Sequence, residues 1–386
     1  MKYKLGEICK IVSGTTPKTS IAEYWDGDIK WLTPAEIKDD SYTIYDTVRK
    51  ITLLGKEKSG LNLFPKGTVI LSSRAPIGKV AIAGCDMCCN QGFKNLICSE
   101  TVYNKYLYWF LKNKKDYLNS LGRGATFKEL SKQIVSEIII NLPSYNEQEK
   151  IVDKLERLQK IVATRKHQLL QLDKLTKSLF VEMFGDTVIN PLGWEEHKLE
   201  EYIDFLTSGS RGWAKYFVNE ENELFLTIKN VKNNKIVLDD IQYIKAPKNK
   251  EAERTKVKCG DLLISITADL GRTGVIDKDI SSRGAYINQH LSLVRLDQNR
   301  INPQYISYYL ETDAGKRQFC SKNQNGVKAG LNFDAIKSLN IIVPPIELQD
   351  DFVKNIYFID KHKSVIQKSL DETQLLFDSL MQKYFG

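Results

Sequence analysis

The sequence predicts an α+β fold in which two similar halves of mixed helices and strands are joined by two long helices. A proline and a Glu-Gln or Glu-Leu-Gln motif precede a long helical pattern once near the middle, at 142–148, and once near the end, at 343–349. Both patterns end in Phe-Gly. The pairs separated by 201 residues without a gap are Pro143 and Pro344, Gln148 and Gln349, and Gly185 and Gly386. The chain therefore contains an internal repeat.

Each half begins with a related segment, Lys4-Leu5-Gly6-Glu7-Ile8 and then Lys198-Leu199-Glu200-Glu201-Tyr202-Ile203, 194 residues later. A loop rich in glycine, serine and threonine follows each of them, at 13–17 and at 207–210. The opening of each half is thus repeated together with the loop that follows it.

The centre of each half repeats a turn glycine followed by a short apolar run, at Lys66–Ser72 and at Cys259–Ser265, which predicts a buried strand. Asn90-Gln91 and Asn288-Gln289 follow in the same order. The two copies of the strand lie 193 residues apart and the two Asn-Gln pairs 198, so the loops between them differ in length. Shared strands with divergent loops are typical of one scaffold that presents two different surfaces.

The rest of each half also repeats. Short aromatic helices are predicted at 106–112 and 305–310, and basic glycine-containing loops follow them at 122–126 and 323–328. Strands are predicted at 138–140 and 341–343, and each strand is stopped by a proline.

The two long helices carry the clearest periodic pattern. Starting at Ile151, we take ten positions along the first helix, spaced alternately four and three residues apart. Eight of these ten residues are apolar, and eight of the ten residues that lie 201 positions later are also apolar. A period near 3.5 residues favours a coiled coil, and an internal two-fold repeat would make the two helices antiparallel. The predicted domain bounds are 1–145 and 186–345 for the mixed domains, with helices at 146–185 and 346–386.

Arg165 and Lys363 interrupt the two apolar seams near their middle. One interpretation is that their aliphatic stems lie along the seam while the charges reach water. The other is that they fix the alignment of the two helices. The sequence does not decide between these interpretations.

Composition indicates a globular protein with 42% hydrophobic and 27% charged residues. The first ten residues lack the apolar core of a signal peptide, and no stretch has the roughly 20 apolar residues of a membrane helix, so we expect a cytoplasmic protein. The net charge of +8 is compatible with a polyanionic partner. Cys85, Cys88, Cys89 and Cys98 form either a zinc site or, without a second C-x-x-C, apolar strand and turn positions.

Catalytic motifs are missing from the sequence. It contains no G-x-x-x-x-G-K-[ST], G-x-G-x-x-G or H-E-x-x-H, and no Asn-Pro-Pro-aromatic tetrapeptide of the kind that adenine methyltransferases use. The four histidines are scattered. These negatives favour a binding protein over an enzyme.

The chain resembles the DNA-specificity subunit of type I restriction–modification systems. The resemblance rests on the opening Lys-Leu-x-Glu segments, on Gly-Asp-Leu-Leu-Ile-Ser followed by Asn-Gln-His-Leu within 260–291, and on Val-Pro-Pro-Ile-Glu-Leu-Gln at 343–349. It covers both halves. The first half departs from the family pattern at Thr68, where an acidic residue is usual, at Gly92, where histidine is common, and at the single Pro143.

The resemblance implies a non-catalytic reader. Two target-recognition domains would each bind one half of a split, asymmetric DNA sequence, and the helices would fix their separation. Two methyltransferase subunits, and in a full complex two restriction–motor subunits, would join it. S-adenosylmethionine, ATP and magnesium would belong to those partners, so no cofactor or metal is expected in this chain.

Candidate DNA contacts are arginines, lysines, amides and hydroxyls of the repeated loops, because these groups read bases and bind phosphates. An ordinary solvated charge is the alternative for each basic residue. In the first domain the candidates are Ser73, Arg74, Lys79, Arg123, Thr126 and Lys128. In the second they are Arg211, Lys215, Lys229, Asn230, Arg272, Lys322, Asn323, Gln324, Asn325 and Lys328.

Two further features have a structural interpretation. The Asn-Gln pairs occur in both halves, which favours a shared hydrogen-bonding role at a turn over reading of different bases. Trp213 could stack on a base, but burial in a core is the preferred interpretation.

Two rival functions remain at this point. A stand-alone enzyme, such as a fused methyltransferase and nuclease, would need a cofactor motif. A bipartite DNA-binding regulator or scaffold with no link to restriction would lack an adjacent methyltransferase gene.

Overall fold

The computed structural model describes residues 1–123, 128–322 and 330–386. The chain divides into two compact units, which are described separately. The first unit comprises Met1–His167 and Gln367–Gly386, and the second comprises Gln168–Ile366. Each unit therefore contains one segment of each long helix.

The first half of the chain alternates short strands with short helices before the first long helix. The described strands are β1 (Lys2–Lys4), β2 (Cys9–Ser13), β3 (Trp25–Leu32), β4 (Thr43–Ile44), β5 (Arg49–Ile51), β6 (Val69–Leu71), β7 (Val80–Ala83), β8 (Cys88–Cys89), β9 (Lys94–Cys98) and β10 (Ile139–Asn141). The described helices are α1 (Leu5–Ile8), α2 (Leu53–Lys58), α3 (Asn104–Asn113), α4 (Lys115–Leu121), α5 (Lys132–Ser136) and α6 (Tyr145–Phe184).

The second half follows the same plan. Its described strands are β11 (Glu196–Lys198), β12 (Ile203–Ser208), β13 (Phe217–Val218), β14 (Glu223–Leu226), β15 (Val231–Lys232), β16 (Asn234–Ile236), β17 (Gln242–Ile244), β18 (Leu262–Ser265), β19 (Thr273–Val275), β20 (Ala285–Ile287), β21 (Leu291–Leu296) and β22 (Asn340–Ile342). Its described helices are α7 (Lys250–Thr255), α8 (Lys278–Arg283), α9 (Pro303–Leu310), α10 (Asp313–Lys322), α11 (Phe333–Lys337) and α12 (Ile346–Phe385).

The strand order shows that the two units share one scaffold. In the first unit the sheets run β2-β9-β6-β7-β4, β5-β3-β8 and β1-β10, and in the second they run β12-β21-β18-β19-β16-β15, β13-β17-β14-β20 and β11-β22. The orders match strand for strand, with β13 and β15 added at edges. Two parallel pairs also recur, β4 with β7 and β3 with β8 in one unit, and β16 with β19 and β14 with β20 in the other. The predicted internal repeat is confirmed.

In the first unit the core lies between the larger sheet, the aromatic helix α3 and the two long helices. Val69 and Leu71 of β6 are fully buried there, as is Leu155 of α6. The ring of Phe385, near the end of α12, lies 5.1 Å from that of Tyr106. The first turns of α6 and the last turns of α12 thus share one core, as an antiparallel pair requires.

In the second unit the opposite ends of the same helices share a core. The rings of Phe180 and Phe184, near the end of α6, each lie 5.3 Å from the ring of Phe352, near the start of α12. Tyr305 of α9 packs on Phe184 at 4.8 Å. Aromatic edge-to-face contacts of this kind add to the free energy of apolar burial. The predicted α+β class with two long antiparallel helices is confirmed.

The repeated glutamine explains why a proline motif precedes each long helix. Gln148 is fully buried, and its amide accepts from the Tyr103 backbone N–H at 2.8 Å and donates to the Thr101 and Pro143 carbonyls at 2.9 and 3.0 Å. Because buried polar groups need partners, one side chain ties the helix start to the turn before α3.

The second copy makes the same connection. Gln349 is fully buried, accepts from the Asn302 N–H at 2.9 Å and donates to the Pro344 carbonyl at 2.7 Å. The repeated sequence motif is therefore a repeated hydrogen-bonding junction between a long helix and its domain.

The polar interruptions of the helix seams differ. The Lys363 ammonium lies 2.8 Å from Asp173 Oδ1 of α6, which favours the alignment interpretation for this residue. Arg165 is half-buried, and within the described residues its Nε has no hydrogen-bond partner. It shows no comparable alignment contact.

Candidate nucleic-acid interface

The loop after the central strand has the same internal bonding in both units. The Ser72 hydroxyl donates to the Pro76 carbonyl at 2.8 Å and accepts from the Lys79 backbone N–H at 2.8 Å. Ser265 makes the equivalent pair of bonds to the Asp269 carbonyl and the Arg272 N–H. A serine at or just after the end of a buried strand thus fixes the shape of the loop that follows, which contains candidate DNA contacts in both units.

The glycine loops that open each half lie against the backbone of the smaller sheet. A Cβ on Gly14 would lie 1.9 Å from the Cys89 carbonyl oxygen, and one on Gly209 would lie 2.1 Å from that of Asn288. The closeness explains why glycine recurs at this position, since only a residue without a side chain permits this approach.

A charged cluster joins the two candidate loops of the first unit. The Arg74 Nε donates to Glu129 Oε2 at 2.9 Å, and the ammonium of Lys94, which is only 6% exposed, donates to Glu129 Oε1 at 3.1 Å and to Ser73 Oγ at 3.3 Å. The backbones of Arg123 and Glu129 exchange two hydrogen bonds of 3.1 and 2.9 Å. We call Arg74, Lys94 and Glu129 the loop anchor, because they hold the base of the 123–129 loop.

The surroundings of Glu129 lower the pKa of its carboxyl group. Burial would raise the pKa of this carboxyl, but hydrogen bonds from Lys94 and Arg74 hold the pKa below its ordinary value of 4.5. A carboxyl with a lowered folded-state pKa contributes stability above its unfolded-state pKa. That contribution is lost as the pH falls through the folded-state value.

Neutralising Glu129 should therefore loosen the first domain. We expect Glu129→Gln to lower the free energy of unfolding by roughly 1–3 kcal/mol, because the buried Lys94 ammonium loses its counter-charge. Chemical denaturation at pH 7 measures this change. The control Glu137→Gln removes an exposed ion pair with Lys4 and should cost about 0–1 kcal/mol. Equal losses in the two variants would contradict the anchoring role.

The other predicted contacts of the first domain occupy different environments. Ser73 is fully buried, and the Lys79 ammonium donates to the Ile37 carbonyl at 2.6 Å and the Pro34 carbonyl at 3.3 Å. Arg123 and Lys128 are exposed on either side of the loop. Thr126 lies outside the described residues. The loops thus bring the exposed residues Arg74, Arg123 and Lys128 together. Ser73 and Lys79 instead form contacts within the domain.

In the second domain the exposed candidates are Arg211, Lys215 and Lys229. Asn230 is buried, accepts from the Thr227 N–H at 2.9 Å and donates to the Val237 carbonyl at 3.0 Å, so it caps a turn. Two further candidates are engaged within the domain, Arg272 with Asp269 at 2.6 Å and Lys322 with the Ser338 hydroxyl at 2.9 Å. Asn323, Gln324, Asn325 and Lys328 lie outside the described residues.

The asparagines of the two Asn-Gln pairs have the shared hydrogen-bonding role at a turn that the repeat predicted. Asn90 Oδ1 accepts from the Gly92 N–H at 2.9 Å, and Asn288 Oδ1 accepts from the His290 N–H at 3.2 Å. Each asparagine closes a turn two residues ahead. Trp213 is 3% exposed and stacks on Phe225, as the burial interpretation requires.

The cysteines of the first domain occupy strand and turn positions. Cys88 and Cys89 form β8 and are buried, and burial raises the pKa of each thiol, to about 11 for Cys88 and to about 12 for Cys89. Among the residues that the structure describes, no group of three or more His, Cys, Asp or Glu side chains could hold a metal ion. None of the described helices is long and apolar enough to cross a membrane.

Comparison with known proteins decides the family. The family model described as "Type I restriction modification DNA specificity domain" matches residues 1–174 and again 191–372. The chain belongs to this family.

Relatives of this specificity protein agree. The type I restriction enzyme MjaIX specificity subunit of Methanocaldococcus jannaschii is 38% identical over 203 residues, a match that spans 52% of this chain and 45% of the relative. The chain thus spans less than half the length of that relative. The MjaVIII specificity subunit of the same organism is 22% identical over 96% of this chain and 88% of its own length.

A solved structure shows the same fold. The S subunit of the type I restriction–modification system from M. genitalium has a TM-score of 0.63 and 14% identity, with 100% of this chain and 96% of that chain covered. The resemblance to type I specificity subunits is confirmed. Both relatives are named as specificity subunits of type I restriction enzymes.

Sequence reasoning missed two residues of the charged cluster in the first unit. Lys94 and Glu129 are not among the candidates from the sequence, although Glu129 forms ion pairs with both Lys94 and Arg74. A signal existed in the repeat, because Lys94 has Ser292 as its counterpart 198 residues later, the same separation as that of the two Asn-Gln pairs. Pairing it with Glu129 requires the fold, since 35 residues separate them.

Proposed function

We propose that this specificity subunit binds double-stranded DNA at a split, asymmetric sequence. In the proposed division of labour, residues 1–145 and 186–345 are target-recognition domains that each bind one half-site. The helices at 146–185 and 346–386 set the distance between the half-sites. The observation that carries the proposal is the family match to both halves of the chain, each with its own copy of the same scaffold.

Differences between the two domains support an asymmetric target. The buried Lys94 of the loop anchor is replaced by Ser292, and the exposed Arg74 by Thr267, whose hydroxyl lies 2.7 Å from His290 Nδ1. A shared scaffold with different side chains around equivalent loops would present two different surfaces. A protein with two identical domains would instead read a palindrome.

Exposed cations supply the proposed DNA contacts. Arg123 and Lys128 flank one loop of the first domain, with Arg74 beside them, and Arg211, Lys215 and Lys229 are exposed in the second. Arginine is suited to guanine edges and lysine to phosphates. The amides at 323–325, with Lys328, remain proposed contacts of the second domain. The buried or tied residues Ser73, Lys79, Asn230, Arg272 and Lys322 would act by holding these loops.

The long helices suit the proposed spacing role. Each has 40 residues, which corresponds to roughly 60 Å at 1.5 Å per residue. That length exceeds the roughly 34 Å of one DNA turn, so two recognition domains near the ends of such helices could reach separate grooves.

Partner subunits would supply the chemistry. We propose two adenine methyltransferase subunits, with two restriction–motor subunits in a full complex. S-adenosylmethionine, ATP and magnesium would bind to those subunits, and we assign no cofactor to this chain.

Reconstitution tests the proposal. Co-expressed with the methyltransferase of its own system, the chain should copurify with it, and the complex should methylate adenine in DNA that contains the target but not in scrambled DNA. Specific DNA binding by the chain alone, with no copurification and no methylation, would instead favour a regulator without a link to restriction.

A further inference from the structure

A basic cleft lies in the second unit, outside the loops discussed so far. Its volume is about 760 Å³, and its walls come from β12, α7, the segment after α7 and β21. The cationic side chains that line it are Lys250, Arg254, Lys256, Lys258 and Arg295. Glu253 is the single carboxylate among the lining residues.

The two arginines of the basic cleft are held in place by the fold. Arg254 Nη1 donates to the Ser208 carbonyl at 2.7 Å and also to the Thr207 hydroxyl. Arg295 makes two bonds of 2.7 Å to Asp261, a carboxylate that is 1% exposed. Arg295 is therefore neutralised and structural, whereas Arg254 is positioned by neutral oxygens and keeps its charge available.

The three lysines of the basic cleft carry uncompensated charge. Lys250, Lys256 and Lys258 are exposed, and none forms an ion pair with another described residue. A concave surface with one sign of charge raises the local concentration of a counter-ion. Together with Arg254, these lysines suit an anion with several negative charges.

The helix that lines the basic cleft has a counterpart in the first domain. Helix α2 stands between β5 and β6, as α7 stands between β17 and β18. It begins with Leu53, which is 60% exposed, whereas α7 begins with Lys250. Helix α2 also carries two lysines, Lys56 and Lys58, so the two helices differ in where their positive charges lie and not in whether they have them.

We propose that the basic cleft binds phosphate groups of the DNA backbone beside the second half-site. This inference rests on the proposed function, because it takes DNA to be the partner. Lysines serve as point charges for phosphate, and the positioned Arg254 can donate hydrogen bonds to phosphate oxygens. Contacts of this kind orient a protein on DNA and carry no sequence information.

Salt-dependent binding tests the basic cleft. In the complex with its methyltransferase, the double variant Lys256→Gln/Lys258→Gln should bind target DNA about tenfold or more weakly. The slope of log K against log salt should fall by about 2, and the methylated sequence should stay the same. The control Lys245→Gln/Lys248→Gln removes two exposed lysines of the same domain outside the cleft and should change neither quantity.

Cys259 provides a second readout, because it lines the cleft and is exposed. Bound target DNA should slow maleimide labelling of Cys259, measured by peptide mass spectrometry. Unchanged labelling together with an unchanged salt slope in the double variant, while the wild-type complex still binds its target, overturns the basic-cleft inference alone. Protection by tripolyphosphate but not by DNA also overturns it. No specific DNA binding by the wild-type complex would instead overturn the proposed function.

Discussion

Four residues inserted after Gln168 should change the length of the non-specific spacer in the recognised DNA and leave both half-sites intact. The insertion lengthens α6 by about 6 Å, and it rotates the part of the helix after the insertion by roughly 40° relative to the part before it. Because four residues are close to one helical turn, the apolar seam is nearly kept. Methylation mapping should show a spacer that is longer by roughly one or two base pairs.

A matched insertion separates spacing from general damage. The same four residues placed between Asn219 and Glu220, in an exposed turn of the second unit, should leave the spacer unchanged. If the α6 insertion also left the spacer unchanged in an active complex, the helices would not set the spacing.

The second large effect is expected at the helix junctions. Gln349→Ala should lower the free energy of unfolding by roughly 2–3 kcal/mol, because the partly buried Asn302 N–H and the buried Pro344 carbonyl both lose their partner. Denaturation curves measure this loss. Gln374→Ala, which removes a half-buried glutamine whose hydrogen bond to Asp378 on the same helix is exposed, should change stability by less than about 1 kcal/mol. A similar small change for Gln349→Ala would show that the junction is not a stabilising element.

The fold was predictable where local pattern and repetition decide it. The predicted helices at 106–112 and 305–310 correspond to α3 and α9, and the predicted strands at 138–140 and 341–343 correspond to β10 and β22 with a shift of one residue. Apolar periodicity and a proline that ends a strand are local signals. Because each element occurs twice, the prediction from one half could be tested against the other half.

The candidate site was less accessible to sequence reasoning because it depends on long-range contacts. Asn230 has the amide that could read adenine, yet the fold buries it to cap a turn. The Arg74 side chain pairs with a residue 55 positions away, which loop composition does not reveal. The basic cleft likewise unites lysines from one segment with Arg295 of β21.

Long-read methylation mapping of DNA from cells that express this chain with its methyltransferase tests the central claim most directly. The account predicts methylated adenine at one split motif, with two different half-sites separated by a fixed number of unspecified bases. A contiguous motif, or a palindrome read by two equivalent domains, would contradict it.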